Sequence, residues 1–467
     1  MLLPLGKFLT GFGCWSARLP FSPCAAYTQA GAQQAFHSSP SFSFVLKILL
    51  HGINFAPELT GIGKYTGEMA AWLAARGHVV RVVTAPPYYP DWKVADGYSS
   101  RSWRRHAWRG VDVWRCPLWV PVRPGGLKRL LHLASFALSS LPVMLRQIAW
   151  RPDVVWVVEP PLFCAPAAWV VARLSGARAL LHVQDFEVDA AFDLGLLKGP
   201  WLKRLVLGGE RWLMQRFDGV STISARMRAR AGSKGVDAQR LALFPNWVDV
   251  AAMTAADEAG VQAYRAELGL LPGTLVALYS GNMGAKQGLE VLAQVARLCA
   301  AAEDGHPARS VRFVFCGNGV GRDALVAQCQ GLGNVQFMDL QPAEQLADLL
   351  ALADIHLLPQ RADAADLVMP SKLTGMLASA RPVVATARVG TELAGVVTTC
   401  GLVVPPEDPA AMTAAIVTLA AYPDLRASLG SAGRAHALQH MDREAVLLRF
   451  EAMLLSGASG VATGARA

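Results

Sequence analysis

The stretch that decides how this sequence folds is ADAADLVMPSKLTGMLASARPVVAT, residues 362–386. Pro370 suits the first turn of a helix, where no backbone N–H is needed, and Ser371 offers a hydroxyl for capping. Apolar residues recur at helical spacing from Leu373, and a short apolar strand follows at 382–385. A loop, a helix start and a buried strand in this order are typical of an α/β unit.

Lys372 adds a positive charge to this helix start. The uncapped N–H groups at the start of a helix carry partial positive charge, and the Lys372 ammonium adds a full one. A diphosphate is the ligand that fits this arrangement. The alternative is a surface helix start with a solvated lysine, and this segment alone does not decide between the two.

A chain of 467 residues is long enough for two or three domains with their own cores. Its residues are 53% hydrophobic and 17% charged. Residues 45–250 hold 27 Lys and Arg against 15 Asp and Glu, whereas residues 251–467 hold 15 against 20. This asymmetry argues against one uniform nucleic-acid-binding surface. It favours one domain that faces an anionic surface, such as a membrane or a lipid phosphate.

Eight cysteines occur without a CxxC pair or a metal-ligand spacing, so we expect buried free thiols in a reducing compartment and no metal site. Residues 1–44 hold two basic residues, no acid, and no apolar run long enough for a signal or transmembrane segment. We expect a disordered leader or a start-site artefact there, with a compact domain from Val45; a targeting peptide is the alternative.

The first block begins with the strand 45–51, the motif GIGKY at 61–65, a helix to Arg76 and the strand 79–84. This order predicts a βαβ start and a parallel sheet. Two glycines of the motif, Gly61 and Gly63, leave the backbone free to approach a ligand at the carboxyl end of the strand. A turn that needs positive φ explains them equally well.

A later strand of the first block, 180–183, ends in Gln184, Asp185, Glu187 and Asp189. Three acids at the carboxyl end of a strand are the best polar cluster of this block, because open α/β sheets bind ligands at that edge. The alternative is that one of them only caps a helix.

Two segments indicate contact with a lipid surface. Residues 86–119 interleave tryptophan with arginine and lack periodicity, which predicts a long irregular loop at a headgroup interface. Nucleic acid is the rival ligand, but no fold signature for it accompanies the patch. Residues 127–150 predict an amphipathic helix that is too short to span a bilayer, and that lies on a membrane or is an ordinary buried helix.

The second block starts between Asp249 and Pro272 and repeats the βα pattern. Glycine-rich loops follow its first two strands, 274–280 and 311–316. Further apolar runs follow at 334–337, 355–358 and 382–385, and this pattern predicts a six-element doubly wound sheet. Gly281 with Lys286 forms a second backbone-plus-cation arrangement, which we expect to face the same crevice as Ser371 and Lys372.

Two doubly wound domains in tandem, each with a glycine loop, resemble the GT-B glycosyltransferases. The motifs at 54–65, 246–249, 317–319, 353–359 and 371–386 resemble those of the retaining family-4 transferases. YSGNMGAKQGLE, LHVQDFEVDA and LVMPSKLTGMLAS are similar to the colanic-acid type fucosyltransferases of bacterial exopolysaccharide pathways. The resemblance covers roughly residues 45–450.

The resemblance implies the fold class α/β with two Rossmann-like domains facing a cleft: an acceptor-binding domain at 45–255, a nucleotide-sugar-binding domain at 256–435 and a C-terminal helix at 436–455 that can cross back. It implies no metal and no cofactor, with a nucleotide sugar, GDP-fucose favoured, as co-substrate. The implied catalytic residues are Lys286, Lys372 and Asp185; the donor-binding residues are Gly61, Gly63, Gly281, Asn282, Gly317, Gly319 and Ser371; the acceptor-binding residues are Tyr65, Gln184 and Glu187.

This sequence departs from the family pattern at four positions. Alignment on Pro382 puts Leu367 and Gly375 where the wider family carries two glutamates. A histidine of the first domain falls near Gln184, and an arginine of the glycine loop falls at Asn282. The missing acids remove the usual contacts to sugar or ribose hydroxyls, so Ser371 and Lys372 must contribute more of the donor recognition.

The sequence therefore predicts a retaining glycosyltransferase that moves fucose or a related sugar to a polyprenyl-diphosphate-linked oligosaccharide. We expect it in the cytoplasm at the inner face of the cytoplasmic membrane, with peripheral membrane contact through the basic first domain and no nucleic-acid partner. The alternative is a catalytically silent GT-B module that binds a sugar nucleotide or a partner in a polysaccharide assembly complex.

Overall fold

Two parallel sheets flanked by helices account for most of the chain in the computed structural model, which describes residues 45–58, 61–122, 125–193, 199–284, 287–362 and 370–462. The expectations for residues 1–44, for Lys286 and for Leu367 lie outside the described residues.

The first sheet, over the described part of the chain, has eight strands in the order β3-β4-β2-β1-β5-β6-β7-β8. They are β1 (Lys47–His51), β2 (Val79–Thr84), β3 (Arg104–Trp108), β4 (Val111–Arg115), β5 (Val154–Glu159), β6 (Arg178–Val183), β7 (Gly219–Thr222) and β8 (Leu241–Leu243). Neighbouring strands are parallel except for β3 and β4 at one edge. The central strand β1 is buried beyond its first residue, which explains its continuous apolar sequence.

Eight helices accompany this sheet and lead toward the second one within the described residues. They are α1 (Gly61–Ala75), α2 (Gly126–Arg146), α3 (Ala165–Ser175), α4 (Glu187–Asp193), α5 (Pro200–Met214), α6 (Ala225–Ser233), α7 (Val250–Thr254) and α8 (Glu258–Glu267). Ser224 caps α6, because its hydroxyl accepts a hydrogen bond from the backbone N–H of Met227 at 3.2 Å.

The second sheet is parallel throughout its described strands, in the order β11-β10-β9-β12-β13-β14. They are β9 (Leu275–Ser280), β10 (Val311–Cys316), β11 (Val335–Met338), β12 (Ile355–Leu358), β13 (Val383–Thr386) and β14 (Gly401–Val404). Its helices are α9 (Glu290–Ala300), α10 (Arg322–Gln328), α11 (Leu346–Leu352), α12 (Lys372–Ala378), α13 (Glu392–Val397), α14 (Pro409–Ala421) and α15 (Pro423–His440). The predicted fold class, two doubly wound α/β domains in tandem, is confirmed.

The last helix, α16 (Arg443–Ala462), packs on the first sheet although it follows the second domain in sequence. The Phe450 ring stacks on Phe244 with centroids 4.4 Å apart, and it also contacts Trp156. Glu451 lies 2.7 Å from Arg76 and 3.0 Å from His78. These contacts attach the end of the chain to the core of the first domain.

The interpretation of residues 86–119 as one irregular loop was wrong, because β3 and β4 form an antiparallel hairpin there. Arg105 and Arg109 stack on tryptophans of the same region while staying exposed to solvent. The Arg105 guanidinium lies 4.8 Å from the centre of the Trp114 ring and also pairs with Asp112 at 2.7 Å. Local cation–π and ion pairs therefore account for part of this pattern.

Over the described residues, no helix is both long and apolar enough to cross a membrane. The six cysteines in that part of the chain are buried and unpaired, as expected for free thiols.

Candidate active site

The Lys372 side chain lies at the start of α12, against the loop that follows β9. Its Nζ donates to the Tyr279 hydroxyl at 2.5 Å and to the Asn282 carbonyl oxygen at 3.2 Å. Burial lowers the pKa of this ammonium to about 7, because the surroundings solvate the charge poorly and the described residues supply no carboxylate to pair with it. An anionic ligand would therefore stabilise the protonated form of Lys372.

Ser371 does not cap α12 as the sequence predicted. Its side chain makes no capping hydrogen bond, and its own backbone is already helical, with φ −62° and ψ −23°. A residue at the N-cap position accepts from the following amides when its backbone is extended, which Ser371 is not. Lys372, rather than the serine hydroxyl, is the charged group that this helix start offers.

Two glycine loops, after β9 and β10, pack directly on one another. Gly317 has φ +146°, and a Cβ there would lie 2.0 Å from the Gly281 carbonyl oxygen. A Cβ on Gly319 would lie 2.6 Å from the Asn282 Oδ1 atom. Backbone hydrogen bonds join the loops, from Gly281 to Cys316 at 2.9 Å and from Met283 to Asn318 at 2.9 Å. The predicted donor-binding glycines of this domain are thus brought together beside Lys372.

In the first domain, the predicted donor-binding residues Gly61 and Gly63 lie in the first turn of α1. A Cβ on Gly63 would lie 2.4 Å from Glu58 Oε2, so glycine is needed there to admit a buried carboxyl group. Glu58 accepts hydrogen bonds from the Asn54 side chain at 2.9 Å and from the backbone N–H of Tyr88 at 3.1 Å. This close packing explains Gly63 without any ligand.

The sequence did not identify Glu58 as a candidate site residue. Burial raises the pKa of its carboxyl group to about 7, while hydrogen bonds and the Arg115 guanidinium oppose that rise. Arg115, itself 3% exposed, donates to the carbonyl oxygens of Ala85, at 2.6 Å, and Ala56. The sequence signal that could have identified Glu58 is an acid within the otherwise apolar run FAPEL, because a buried acid needs partners.

The predicted acceptor-binding residue Gln184 follows β6 and contacts a buried histidine. Its Nε2 lies 3.0 Å from His182 Nε2, and His182 Nδ1 lies 2.8 Å from the Ser221 hydroxyl. Burial lowers the pKa of His182 to about 3, so the imidazole is neutral. The amide must donate to Nε2, and Nδ1–H then donates to Ser221. Gln184 is fixed at the carboxyl edge of the first sheet.

The three acids after β6 do not act as one group. Asp189 is 4% exposed and pairs with Lys234 at 3.0 Å and Arg230 at 3.2 Å. Glu187 begins α4 and lies 3.9 Å from Arg129. Asp185 is half-buried just before this helix. Asp189 is therefore committed to an internal ion-pair network, whereas the roles predicted for Asp185 and Glu187 stay predictions.

The remaining acceptor candidate, Tyr65, is 4% exposed and lies where the two domains meet. Its ring packs edge-on against Trp247 with centroids 5.0 Å apart, and its hydroxyl lies near the Thr374 side chain of α12. A second contact between domains joins Asn282 and Tyr89, with Nδ2 donating to Oη at 3.0 Å. A third joins the Glu392 carboxylate to the backbone N–H groups of Ala225 and Arg226, both at 2.9 Å.

Gly375 stands in α12 where the sequence comparison with the wider family expected a glutamate. A Cβ at this position would lie 3.0 Å from Leu350 Cδ1, so the helix packs closely there. Over the described residues, no group of three or more His, Cys, Asp or Glu side chains is arranged to hold a metal ion.

Two Rossmann-like domains that meet at the carboxyl edges of their sheets, with a cation and two glycine loops at that edge, define a GT-B glycosyltransferase. Residues 60–247 match the family model described as Glycosyl transferase 4-like domain, and residues 274–421 match Glycosyl transferases group 1. The chain belongs to this glycosyltransferase family, and it is an enzyme of that class.

The relatives agree with this assignment. The chain is 44% identical over 413 residues to the "Putative colanic acid biosynthesis glycosyl transferase WcaI" of Escherichia coli (strain K12), covering 87% of this chain and 98% of that protein. Sucrose-phosphate synthase from Thermosynechococcus elongatus superposes with TM-score 0.67 at 18% identity, over 88% of this chain and 99% of that one. Anabaena Alr3699/HepE, solved with UDP and glucose, gives TM-score 0.63 at 16% identity, over 88% and 100%. The two solved structures support the fold alone.

Proposed function

We propose that this glycosyltransferase moves fucose, or a related sugar, from a nucleoside diphosphate donor to a lipid-linked oligosaccharide in bacterial exopolysaccharide synthesis, with retention at the anomeric carbon. The observation that carries the proposal is the Lys372 ammonium beside Gly281, where a Cβ would lie 3.1 Å from Lys372 Cε. The similarity to the colanic acid relative, which extends over 98% of that protein, supports the pathway.

Lys372 supplies the electrostatic part of the reaction. When the bond between the anomeric carbon and the diphosphate breaks, negative charge develops on the leaving phosphate oxygen. A fixed cation at that position stabilises the transition state more than the ground state, and this difference accelerates the reaction. Gly317 and Gly319 let the loops after β9 and β10 pack against each other beside Lys372, and we expect the backbone of these loops to line the diphosphate site.

The first domain offers a surface for the lipid-linked acceptor. Helix α5 exposes three large apolar side chains, Trp201 at 74%, Leu205 at 57% and Trp212 at 52%. Its exposed cations are Lys203, Arg204 and Arg211. Exposed tryptophans interleaved with cations favour the interface of an anionic membrane.

A donor screen tests the reaction. The purified chain is mixed with labelled GDP-, UDP- and dTDP-sugars and a polyprenyl-diphosphate-linked oligosaccharide, and product is followed by mass spectrometry and its anomeric configuration by NMR. We expect transfer from GDP-fucose with retained configuration. Absence of turnover with every nucleotide sugar contradicts the proposal.

The rival function is a catalytically silent module, and Gly375 is the observation that favours it, because this position lacks a carboxylate. It predicts that GDP or UDP binds with measurable affinity while transfer stays undetectable. Calorimetry beside the donor screen separates the two functions.

Flotation with anionic vesicles tests the membrane surface. Replacing Trp201 and Trp212 with serine removes two interfacial anchors, and we expect the bound fraction to fall several-fold. The control is Leu271→Ser, which changes a 73% exposed leucine of the second domain. Equal binding of the double variant and the wild type would exclude α5 as the docking helix.

A further inference from the structure

Tyr89 and Asn282 meet across the line between the two domains, and the Asn282 carbonyl oxygen also contacts Lys372 Nζ of the candidate phosphate site. The Asn282 side-chain amide donates to the Tyr89 hydroxyl oxygen at 3.0 Å. Asn282 belongs to the loop after β9, and Tyr89 belongs to the loop after β2. This hydrogen bond therefore links the carboxyl edge of one sheet to that of the other.

On the second-domain side, the same groups that surround Lys372 fix Asn282. Its carbonyl oxygen accepts from the Tyr279 hydroxyl at 2.6 Å and from Lys372 Nζ at 3.2 Å. Its side-chain oxygen occupies the space beside Gly319, where a Cβ would lie 2.6 Å away. Any ligand that moves Lys372 must therefore also act on Asn282.

On the first-domain side, Glu58 fixes Tyr89. One carboxylate oxygen accepts from the backbone N–H groups of Tyr88, at 3.1 Å, and Tyr89, at 3.2 Å. The other oxygen accepts from the Asn54 side chain at 2.9 Å. One buried acid thus joins the loop after β1 to the loop after β2 and sets the backbone from which the Tyr89 ring projects.

We propose that the Tyr89–Asn282 hydrogen bond holds the two domains closed over the donor diphosphate, and that Glu58 is a positioning residue that presents Tyr89 to it. The two residues that this hydrogen bond joins are 193 positions apart in the sequence. The kinetic consequence rests on the proposed function, whereas the contact between the domains does not.

Hydrogen exchange measured by mass spectrometry on the full chain tests the contact without any substrate. Tyr89→Phe removes only the hydroxyl group of a first-domain residue. We expect faster amide exchange in residues 276–284 of the second domain, because Asn282 loses its partner. Tyr264→Phe is the matched control, since that hydroxyl contacts Gln341 and Gln345 at 3.1 Å within the second domain alone. Unchanged exchange over 276–284 in Tyr89→Phe would overturn the proposal.

Kinetics test the consequence for the reaction. We expect Tyr89→Phe to raise the KM for the donor, or the Kd for GDP or UDP, by about three- to tenfold, the range set by one neutral hydrogen bond, with a smaller change in kcat. A fall in kcat with KM unchanged contradicts a closing contact. If no nucleotide sugar is turned over, the proposed function fails, while the exchange result still decides the contact.

Glu58→Gln tests the positioning role. The glutamine oxygen can still accept from the backbone, but its amide faces the Asn54 donor and loses that bond. If Glu58 acts through Tyr89, the variant raises the same KM, and Glu58→Gln combined with Tyr89→Phe is no worse than the more affected single variant. Fully additive losses show that Glu58 acts independently of Tyr89 and refute this part of the proposal.

Discussion

The two sides of the cleft are built from the same kind of loop but use charge in opposite ways. In the second domain, the Lys372 ammonium contacts the hydroxyl and ring face of Tyr279 and the Asn282 carbonyl oxygen, none of which is an anion, so its charge is left for a ligand. In the first domain, Glu58 and Arg115 are also buried at a sheet edge, but their hydrogen bonds tie loops together. The comparison teaches that glycine-rich edges can either receive a ligand or hold an internal charge.

Removing the Lys372 charge should have the largest effect on the rate of sugar transfer. Lys372→Met should lower transfer by about 100-fold or more, the cost of removing one donor to a developing anion, with little change in the unfolding transition. Steady-state kinetics beside circular dichroism measures both. Lys47→Met, at the opposite end of the first sheet, is the control and should retain activity. A Lys372 variant with near wild-type turnover would remove the second-domain side from the mechanism.

The next effect tests how closely the glycine loops pack. Gly317→Ala adds a Cβ against the Gly281 carbonyl and strains a φ of +146°, so we expect the free energy of unfolding to fall by about 1–3 kcal/mol and nucleotide binding to weaken. Gly305→Ala is the control, because Gly305 also has positive φ, +85°, but open space around it. Similar losses in both variants would mean that backbone strain, not loop packing, decides the result.

A pH series follows from the pKa of about 7 for Lys372. Above that pH the free enzyme has lost the proton, and a diphosphate must bring it back, so affinity should fall by up to about tenfold per pH unit. Lys372→Arg should flatten this slope because a guanidinium keeps its proton. Calorimetry in two buffers of different ionisation enthalpy measures the proton uptake. No uptake at pH 8 would contradict the assignment.

The lowered pKa of Lys372 also determines whether the free energy of unfolding rises or falls with pH. The unfolded lysine keeps its proton up to about 10.5, whereas the folded one loses it near 7, so the unfolded state binds more protons between these values. The Lys372 contribution to the free energy of unfolding therefore rises with pH through that window.

The smallest effect tests the first-domain side. Arg115→Lys keeps the charge but cannot reach the carbonyl oxygens of both Ala56 and Ala85, so we expect the free energy of unfolding to fall by about 1–2 kcal/mol. Donor KM should change less than in the Lys372 variants. A loss of transfer as large as that of Lys372→Met would show that Arg115 also serves the ligand, and the contrast between the two sides would fail.

Much of the fold followed from local patterns in the sequence. Apolar runs of four to six residues, glycines after them and helical periodicity predict the βα units. The hairpin β3–β4 was missed because β3 exposes Arg104, Arg105 and Ala107 and half-buries His106 and Trp108, so no alternation of apolar and polar residues marks the strand. Strand β14 was missed although it has four residues, as do the predicted strands β11, β12 and β13.

The sequence by itself determined that this chain has two parallel α/β domains, that glycine loops follow the second-domain strands, and that Lys372 stands at a helix start. These features are local, since each is set by residues within one turn or one strand. Only the tertiary structure decided that Gly63 makes room for Glu58, that Ser371 does not cap, and that Tyr89 meets Asn282. Those outcomes depend on which loops the folded sheets bring together, and no local pattern encodes that choice.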